Sequence, residues 1–328
     1  MYFKAYIVRE NNAQYEGHIE HLSVKDLPDN EILVKVHYSS LNYKDALSSI
    51  GNKGVTKQYP HVPGIDAAGE IVKTKSNKFI VGQKVIVTSY DLGMNTWGGF
   101  GEYVRVPAEW VMPLPGNLSL EEAMIYGTAG LTAGLSIAKV LANTTSGKLV
   151  VSGATGGVGC LAAAMVHRLG FEIVAISGKQ GDAFLKDLLH VDSVVARKDF
   201  VRQNNGRPLS QGIYDAGIDT VGGDILSAML KSVVYEGIVT CCGMVASNDL
   251  NTSIFPFILR GVSLLGVDSV RASRNQRIYI WEKLATEWKP ENLSGLAQVI
   301  SLEELPYTIS QMLEGNIRGR YVVKHAHV

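Results

Sequence analysis

One stretch limits what this chain can fold into more than any other: Leu149–Gly170, LVVSGATGGVGCLAAAMVHRLG. Leu149, Val150 and Val151 open it as a buried strand, a glycine-rich turn follows, and an alanine-rich helix runs to Gly170. Gly156, Gly157 and Gly159 let a backbone approach a pyrophosphate, and the helix N-terminus offers unpaired N–H groups and a positive dipole end. The turn departs from the plain G-x-G-x-x-G fingerprint. It reads Ala154-x-Gly156-x-x-Gly159, with Gly153 just ahead, and a second match starting at Gly157 sits too far into the helix. The strand, turn and helix that the motif requires are all present, so a dinucleotide cradle at Thr155, Gly156, Gly157 and Val158 is expected. A purely structural glycine turn is the alternative.

The surroundings fit that cradle. From Lys148 the pattern alternates strands (148–153, 172–177, 193–196, 213–219, 237–242, 262–268) with helices (157–169, 181–190, 223–234), which predicts an α/β fold with a doubly wound, Rossmann-type parallel sheet. Residues 1–115 instead carry β-branched alternation in segments such as KAYIVRE, EILVKVHYSS and QKVIVTS. Pro107–Asn117 reads as a linker, and Ser119-x-x-Glu122 as the capping box of a helix. Helices are expected near 274–288 and 302–314. The tail Gly319–Lys324 returns to β and is expected to rejoin the N-terminal domain, so the domains divide as 1–118, completed by about 300–328, and 119–299.

Of the 328 residues, 46% are apolar and 19% charged, with zero formal net charge, which argues against a nucleic-acid surface. No apolar run approaches the roughly 20 residues that span a bilayer. The N-terminus, MYFKAYIVRE, lacks a signal-peptide pattern, and a cytoplasmic location is expected. Cys160, Cys241 and Cys242 make no disulfide framework, Cys160 reads as a small residue packed on the sheet, and Cys/His clusters for zinc are missing.

The residues ending the second strand of a Rossmann unit choose between NAD and NADP. An acid there takes the ribose hydroxyls, whereas a 2′-phosphate needs hydroxyl and cationic donors. Here the strand EIVAI ends in Ser177-Gly178-Lys179, with no acid, and Arg197 follows the next strand. NADPH is therefore the expected cofactor. The bland alternative makes Lys179 a solvated charge.

With these residues in hand, the chain resembles a zinc-free member of the medium-chain dehydrogenase/reductase superfamily, and more narrowly the YhdH/YhfP branch of quinone oxidoreductases and acrylyl-CoA reductases. The markers span nearly the whole chain: Ser39–Ala46, Pro63–Asp66, Trp97–Gly99, Gly127–Gly130, Gly153–Gly159, Ser177–Lys179, Ile218–Gly222, Pro256–Arg260 and Gly266–Val270. The resemblance implies a GroES-like, mostly-β catalytic domain beside the Rossmann domain. In zinc-dependent relatives a Cys ligand lies near Asn42-Tyr43, and a His-Glu pair where Ile65-Asp66 stand; those ligands are missing here, which favours conjugate reduction over alcohol oxidation. Lys179 replaces an arginine common in close relatives, keeping the charge but losing the bidentate fork.

The resemblance implies reduction of an activated C=C bond, with acrylyl-CoA or another short 2-enoyl thioester as substrate. A quinone reductase and a non-catalytic NADPH-binding sensor are the alternatives. Tyr43 is the first catalytic candidate, because a phenol of ordinary pKa about 10 can donate to an enolate; it also suits packing against the nicotinamide. Asn42 is the second, donating to the carbonyl or to the nicotinamide ribose. Asp45 is expected to cap the helix after SSLNY, and Asp66 to orient neighbours or cap backbone. Thr128 belongs to the turn expected at the nicotinamide amide, Gly243 and Val267 lie at carboxyl ends of strands, and Arg318 is a candidate phosphate or ribose contact. Arg271, Arg274 and Arg277 read as a solvated helix face or a grip on the nucleotide of CoA. His61, His167 and His190 read as surface or helix-end residues. Superfamily members commonly pair the edge near Ser263–Asp268 across a two-fold axis, so a homodimer is expected.

Overall fold

β-Branched alternation in the first hundred residues builds antiparallel strands. The computed structural model describes residues 1–179, 181 and 183–327. It divides the chain into two units, Met1–Thr128 with Ala297–Val328, and Ala129–Leu296. The first opens on a hairpin, β1 (Tyr2–Asn11) and β2 (Gln14–Ser23), turned at Asn12 and Ala13. Then come β3 (Ile32–Leu41), α1 (Tyr43–Ser49), β4 (Asp66–Thr74), β5 (Lys84–Thr88), β6 (Tyr103–Val106) and β7 (Met112–Pro113). β3 is the spine of this sheet, pairing with β4 and, through Ile32–Lys35, with β6. Its side chains alternate between two cores: Ile32, Val34 and Val36 pack with Ile71, Val85 and Val104, whereas Leu33 and Leu41 pack with Phe3, Ile7 and Phe100.

α2 (Leu120–Leu141) begins at the expected capping box, in which Ser119 N donates to Glu122 Oε2 at 2.9 Å and Glu122 N to Ser119 Oγ at 3.1 Å. The units divide inside this helix, just after a kink at Gly127, and not ahead of it at 118, because its first turns are tied into the first unit. Among the described residues α2 alone is long and apolar enough to cross a membrane, and 83% of its most apolar window is buried inside the protein. It is a core helix.

The second unit runs β8 (Lys148–Ser152), α3 (Gly157–Arg168), β9 (Glu172–Ser177), β10 (Ser193–Ala196), α4 (Arg197–Asn205), β11 (Tyr214–Asp219), α5 (Gly223–Ser232), β12 (Val233–Cys241), α6 (Phe255–Arg260), β13 (Ser263–Gly266) and α7 (Arg274–Ala285). Its six strands are all parallel in the order β10-β9-β8-β11-β12-β13, which counted from β8 is the doubly wound order 3-2-1-4-5-6. The helix expected over 181–190 is a single π-helical turn, Phe184–Leu188; position 182 of that expectation lies outside the described residues. α4 was not expected. Only Phe200 and Asn204 in it are buried, so it carries no apolar periodicity to read. The chain then returns to the first sheet as β14 (Ala297–Ser301), α8 (Leu305–Leu313) and β15 (Arg320–Lys324), where β15 pairs with Tyr38–Leu41 of β3.

Candidate active site

β3 ends in the buried hydroxyls Ser39 and Ser40, and Asn42 turns the chain into α1. Asp45 caps that helix as expected: Asn42 N donates to its Oδ2 at 2.8 Å. Its Oδ1 accepts from Gly64 N (3.1 Å) and Ile65 N (2.9 Å), which ties the helix to the start of β4. Burial first, then repulsion from Asp66, pushes the Asp45 carboxyl up to about 7 against these donors.

Asp66 is the hub of the site. Its Oδ2 accepts from Ser40 Oγ (2.6 Å) and Asn42 Nδ2 (2.8 Å), and its Oδ1 from Thr128 N (2.8 Å) and Thr128 Oγ1 (2.6 Å). It orients side chains and caps backbone at once. The Thr128 hydroxyl hydrogen is spent on Asp66, so Ser89 Oγ, 2.8 Å from Thr128 Oγ1, is the donor of that pair. Gly127 sits at φ 50° and ψ −150°, and a Cβ there would land on Asp66 Oδ2 and lie 2.6 Å from Ser40 Oγ.

Asn42 is tied into this frame. Its Nδ2 donates to Asp66 and its Oδ1 accepts from Arg320 Nη1 at 3.2 Å, so both ends of the amide are held by buried charged groups. Arg320, buried at 2% exposure, also donates through Nε to Ile125 O at 2.8 Å. Sequence reasoning singled out Arg318 in this tail, which is exposed in the loop ahead of β15, and missed Arg320. The signal was a charge opening the strand RYVVK ahead of its apolar run YVV. Ser40 and Ser89 were missed as well. Tyr43, the first residue of α1, is 42% exposed, which leaves its phenol open to a ligand.

The second unit carries the glycine turn expected to cradle a dinucleotide. Gly156 is the N-cap of α3, and its N–H donates to Gly153 O at 2.8 Å. Gly153, at φ 60°, is therefore the tight-turn glycine in place of Ala154, and a Cβ at Gly159 would strike its carbonyl. Thr155 is buried, Gly157 and Val158 are half-buried, and all stand at the helix N-terminus. Ser152 Oγ donates to Asp219 Oδ1 at 2.7 Å and accepts from Thr220 N at 2.8 Å, locking the ends of β8 and β11 together. At the end of β9 the buried Ser177 Oγ accepts from Lys179 N at 3.0 Å. The Arg197 guanidinium lies against Gly178, with Cζ 3.6 Å from where a Cβ would be. Ser177, Gly178, Lys179 and Arg197 are thus gathered in one place. Gly243 follows β12, where a side chain would strike the Thr220 carbonyl, and Val267 N donates to Cys241 O at 2.9 Å beyond β13.

Other expectations change. Arg277 is fully buried, with Nε donating to Ala272 O (3.1 Å) and Nη2 to Ser269 O (2.7 Å) and Val270 O (3.0 Å), whereas Arg271 and Arg274 are exposed. The three do not form one cationic face. His61 is buried against Val8 and is not a surface residue; burial pushes its imidazole pKa down. His167 and His190 are exposed, with ring centroids 4.9 Å apart. Cys160 is buried in α3, and burial, then Asp219, pushes the Cys242 thiol up to about 12, so it is no thiolate nucleophile.

Two family models match the chain: the alcohol dehydrogenase GroES-like domain over residues 28–116, and the zinc-binding dehydrogenase domain over residues 157–286. YhfP of Bacillus subtilis, which carries a quinone oxidoreductase name, is 39% identical over 326 residues, 98% of each chain. Its structure with NAD bound superposes with a TM-score of 0.95 over 99% of both chains. The acrylyl-CoA reductase AcuI of Ruegeria pomeroyi is 35% identical over 96% of each chain. The chain belongs to the medium-chain dehydrogenase/reductase superfamily. The yhdH oxidoreductase of Salmonella enterica, solved with NADP, matches this reductase at 35% identity and a TM-score of 0.94, covering 98% of this chain and 99% of its own. The donor set of this reductase does not suit the zinc of its second family model. Asn42 and Ile65 offer no thiolate or imidazole, and no group of three His, Cys, Asp or Glu able to hold a metal occurs among the described residues. The dinucleotide does suit its residues, since α3 starts at Gly156-Gly157 with no side-chain cap on its first N–H groups and no acid in its first turn.

Proposed function

We propose that this reductase saturates an activated carbon–carbon double bond with NADPH as reductant, and that its substrate is acrylyl-CoA or another short 2-enoyl thioester. One observation carries the cofactor choice: β9 ends in Ser177-Gly178-Lys179, without an acid, and Arg197 lies against Gly178. A hydroxyl, an amide N–H and two cations suit a 2′-phosphate, which an acid would repel. Thr155, Gly156, Gly157 and Val158 take the pyrophosphate at the α3 N-terminus. Gly243 and Val267 of the second unit take the nicotinamide end.

When bound, NADPH would supply the hydride that Cβ of the enoyl thioester accepts. Negative charge then develops on the thioester oxygen, and the Tyr43 phenol, open to ligand, donates to it. A proton taken up from water at Cα would complete the reduction. Asn42, Asp45, Asp66 and Arg320 are positioning groups: they fix the start of α1 and hence where Tyr43 stands.

The substrate class rests on similarity to the Ruegeria acrylyl-CoA reductase. Steady-state rates with NADPH on acrylyl-CoA and on simple quinones test it. Turnover of the thioester is expected; turnover of quinones alone moves the assignment to quinone reduction, and binding with neither turned over leaves a sensor. A second copy of the chain is the expected partner. β13 is an edge strand of its sheet, and α6 with its N-cap Ile254 exposes Ile254, Phe255, Ile258 and Leu259 before it. A solution mass equal to one chain would contradict the dimer. A cytoplasmic location goes with this reading, and cell fractionation checks it.

A further inference from the structure

Arg277 stands on α7 with none of its surface exposed. Its Nε and Nη2 donate to Ala272 O, Ser269 O and Val270 O, three carbonyls of the single loop that leaves β13. A guanidinium is the one side chain whose rigid fork reaches several carbonyls at once. From its outer side the same loop is fixed by Asp268, whose Oδ1 accepts from Val270 N (2.9 Å) and Arg271 N (3.2 Å). Val267 N is tied to Cys241 O at the end of β12. Residues 267–272 are therefore held at three points, although they form no helix or strand.

That loop lies at the carboxyl end of the last strand of a doubly wound sheet, on the side where such sheets take ligands. A buried charge is costly to keep, and bracing a loop that did nothing would not require one.

We propose that Arg277 is a positioning residue for the cofactor: it holds the loop 267–272 in the shape that receives the nicotinamide half of NADPH. This rests on the cofactor reading above. It adds that the two halves of the dinucleotide are gripped by separable devices, Arg277 and its loop for one, Ser177, Lys179 and Arg197 for the other.

The test compares two ligands on the full-length protein: NADPH, which engages both halves, and 2′,5′-ADP, which engages the phosphate pocket alone. Arg277→Gln should weaken NADPH on the order of tenfold, the scale of a lost charged hydrogen bond, and leave 2′,5′-ADP within about twofold. Arg277→Lys should recover part of the loss. Asp268→Ala, an exposed change in the same loop, should give a smaller shift with the same selectivity, and serves if Arg277→Gln does not fold. Equal weakening of both ligands would show a general structural role and overturn the proposal, as would unchanged NADPH affinity in all three variants. Failure of the wild type to bind either ligand would instead overturn the cofactor reading itself.

Discussion

Gly127→Ala is the sharpest probe of the Asp66 hub. The substitution forces a Cβ onto Asp66 Oδ2 and to 2.6 Å from Ser40 Oγ, at a φ of 50° and ψ of −150°. Holding a side chain in that backbone region costs about 1–3 kcal/mol. Overpacking a filled site adds about 1–3 kcal/mol, because neither the carboxylate nor the hydroxyl can retreat without breaking its bonds to Asn42, Thr128 or each other. The expected loss is therefore roughly 2–6 kcal/mol of local stability, read by urea or thermal unfolding. If the hub relaxes instead of unfolding, Thr128 and the start of α1 shift, and a displacement near 1 Å at a reacting group lowers kcat by about a hundredfold. Affinity for 2′,5′-ADP reports on the other unit and should not change. A variant with wild-type stability and kcat within about twofold of wild type would show that the hub does not need glycine at this position.

Tyr43→Phe keeps the ring and removes the donor. It should lower kcat on acrylyl-CoA by about 10²–10³ with little change in KM for NADPH; the opposite split would make Tyr43 a cofactor-packing residue. His325 gives a pH signature. Its imidazole, fully buried with Nε2 2.9 Å from Gly99 O, is pushed by burial from 6.5 down to about 4. It is neutral when folded, so the unfolded chain binds the extra proton. Stability is then fully present above pH 6.5 and falls toward pH 4, by up to about 3 kcal/mol. Asp45, raised from 3.8 to about 7, titrates in the opposite sense: it binds its proton in the folded state and loses stability as pH rises through that window. The readout is therefore the difference in urea midpoint between wild type and His325→Asn at pH 7.5 and pH 5, and a difference independent of pH would refute the assignment.

The doubly wound parallel sheet of the second unit was legible because βαβ units leave two alternating periods in sequence, and the glycine turn because its glycines answer local geometry. The grouping proposed to hold a 2′-phosphate was legible in part. Ser177 and Lys179 are neighbours in the chain, and Arg197 follows the adjacent strand β10. The Asp66 hub was not legible, since it draws Asn42, Ser40 and Thr128 from 24, 26 and 62 positions away and has no local pattern. Arg277 misled for the opposite reason. Spacings of three with Arg271 and Arg274 suggest one helix face, yet α7 begins only at Arg274 and the preceding loop folds over Arg277. His61 shows the same limit: burial of a lone polar residue depends on strands that meet far apart in sequence.

Calorimetric titration of NADPH and NADH into wild type, Lys179→Ala and Arg197→Ala tests the pocket beside β9 most directly. The wild type should hold NADPH about tenfold or more tighter than NADH, and each variant should lose most of that margin while binding NADH as before. Equal affinity of the wild type for the two dinucleotides would contradict the assignment of Ser177, Lys179 and Arg197 to a 2′-phosphate.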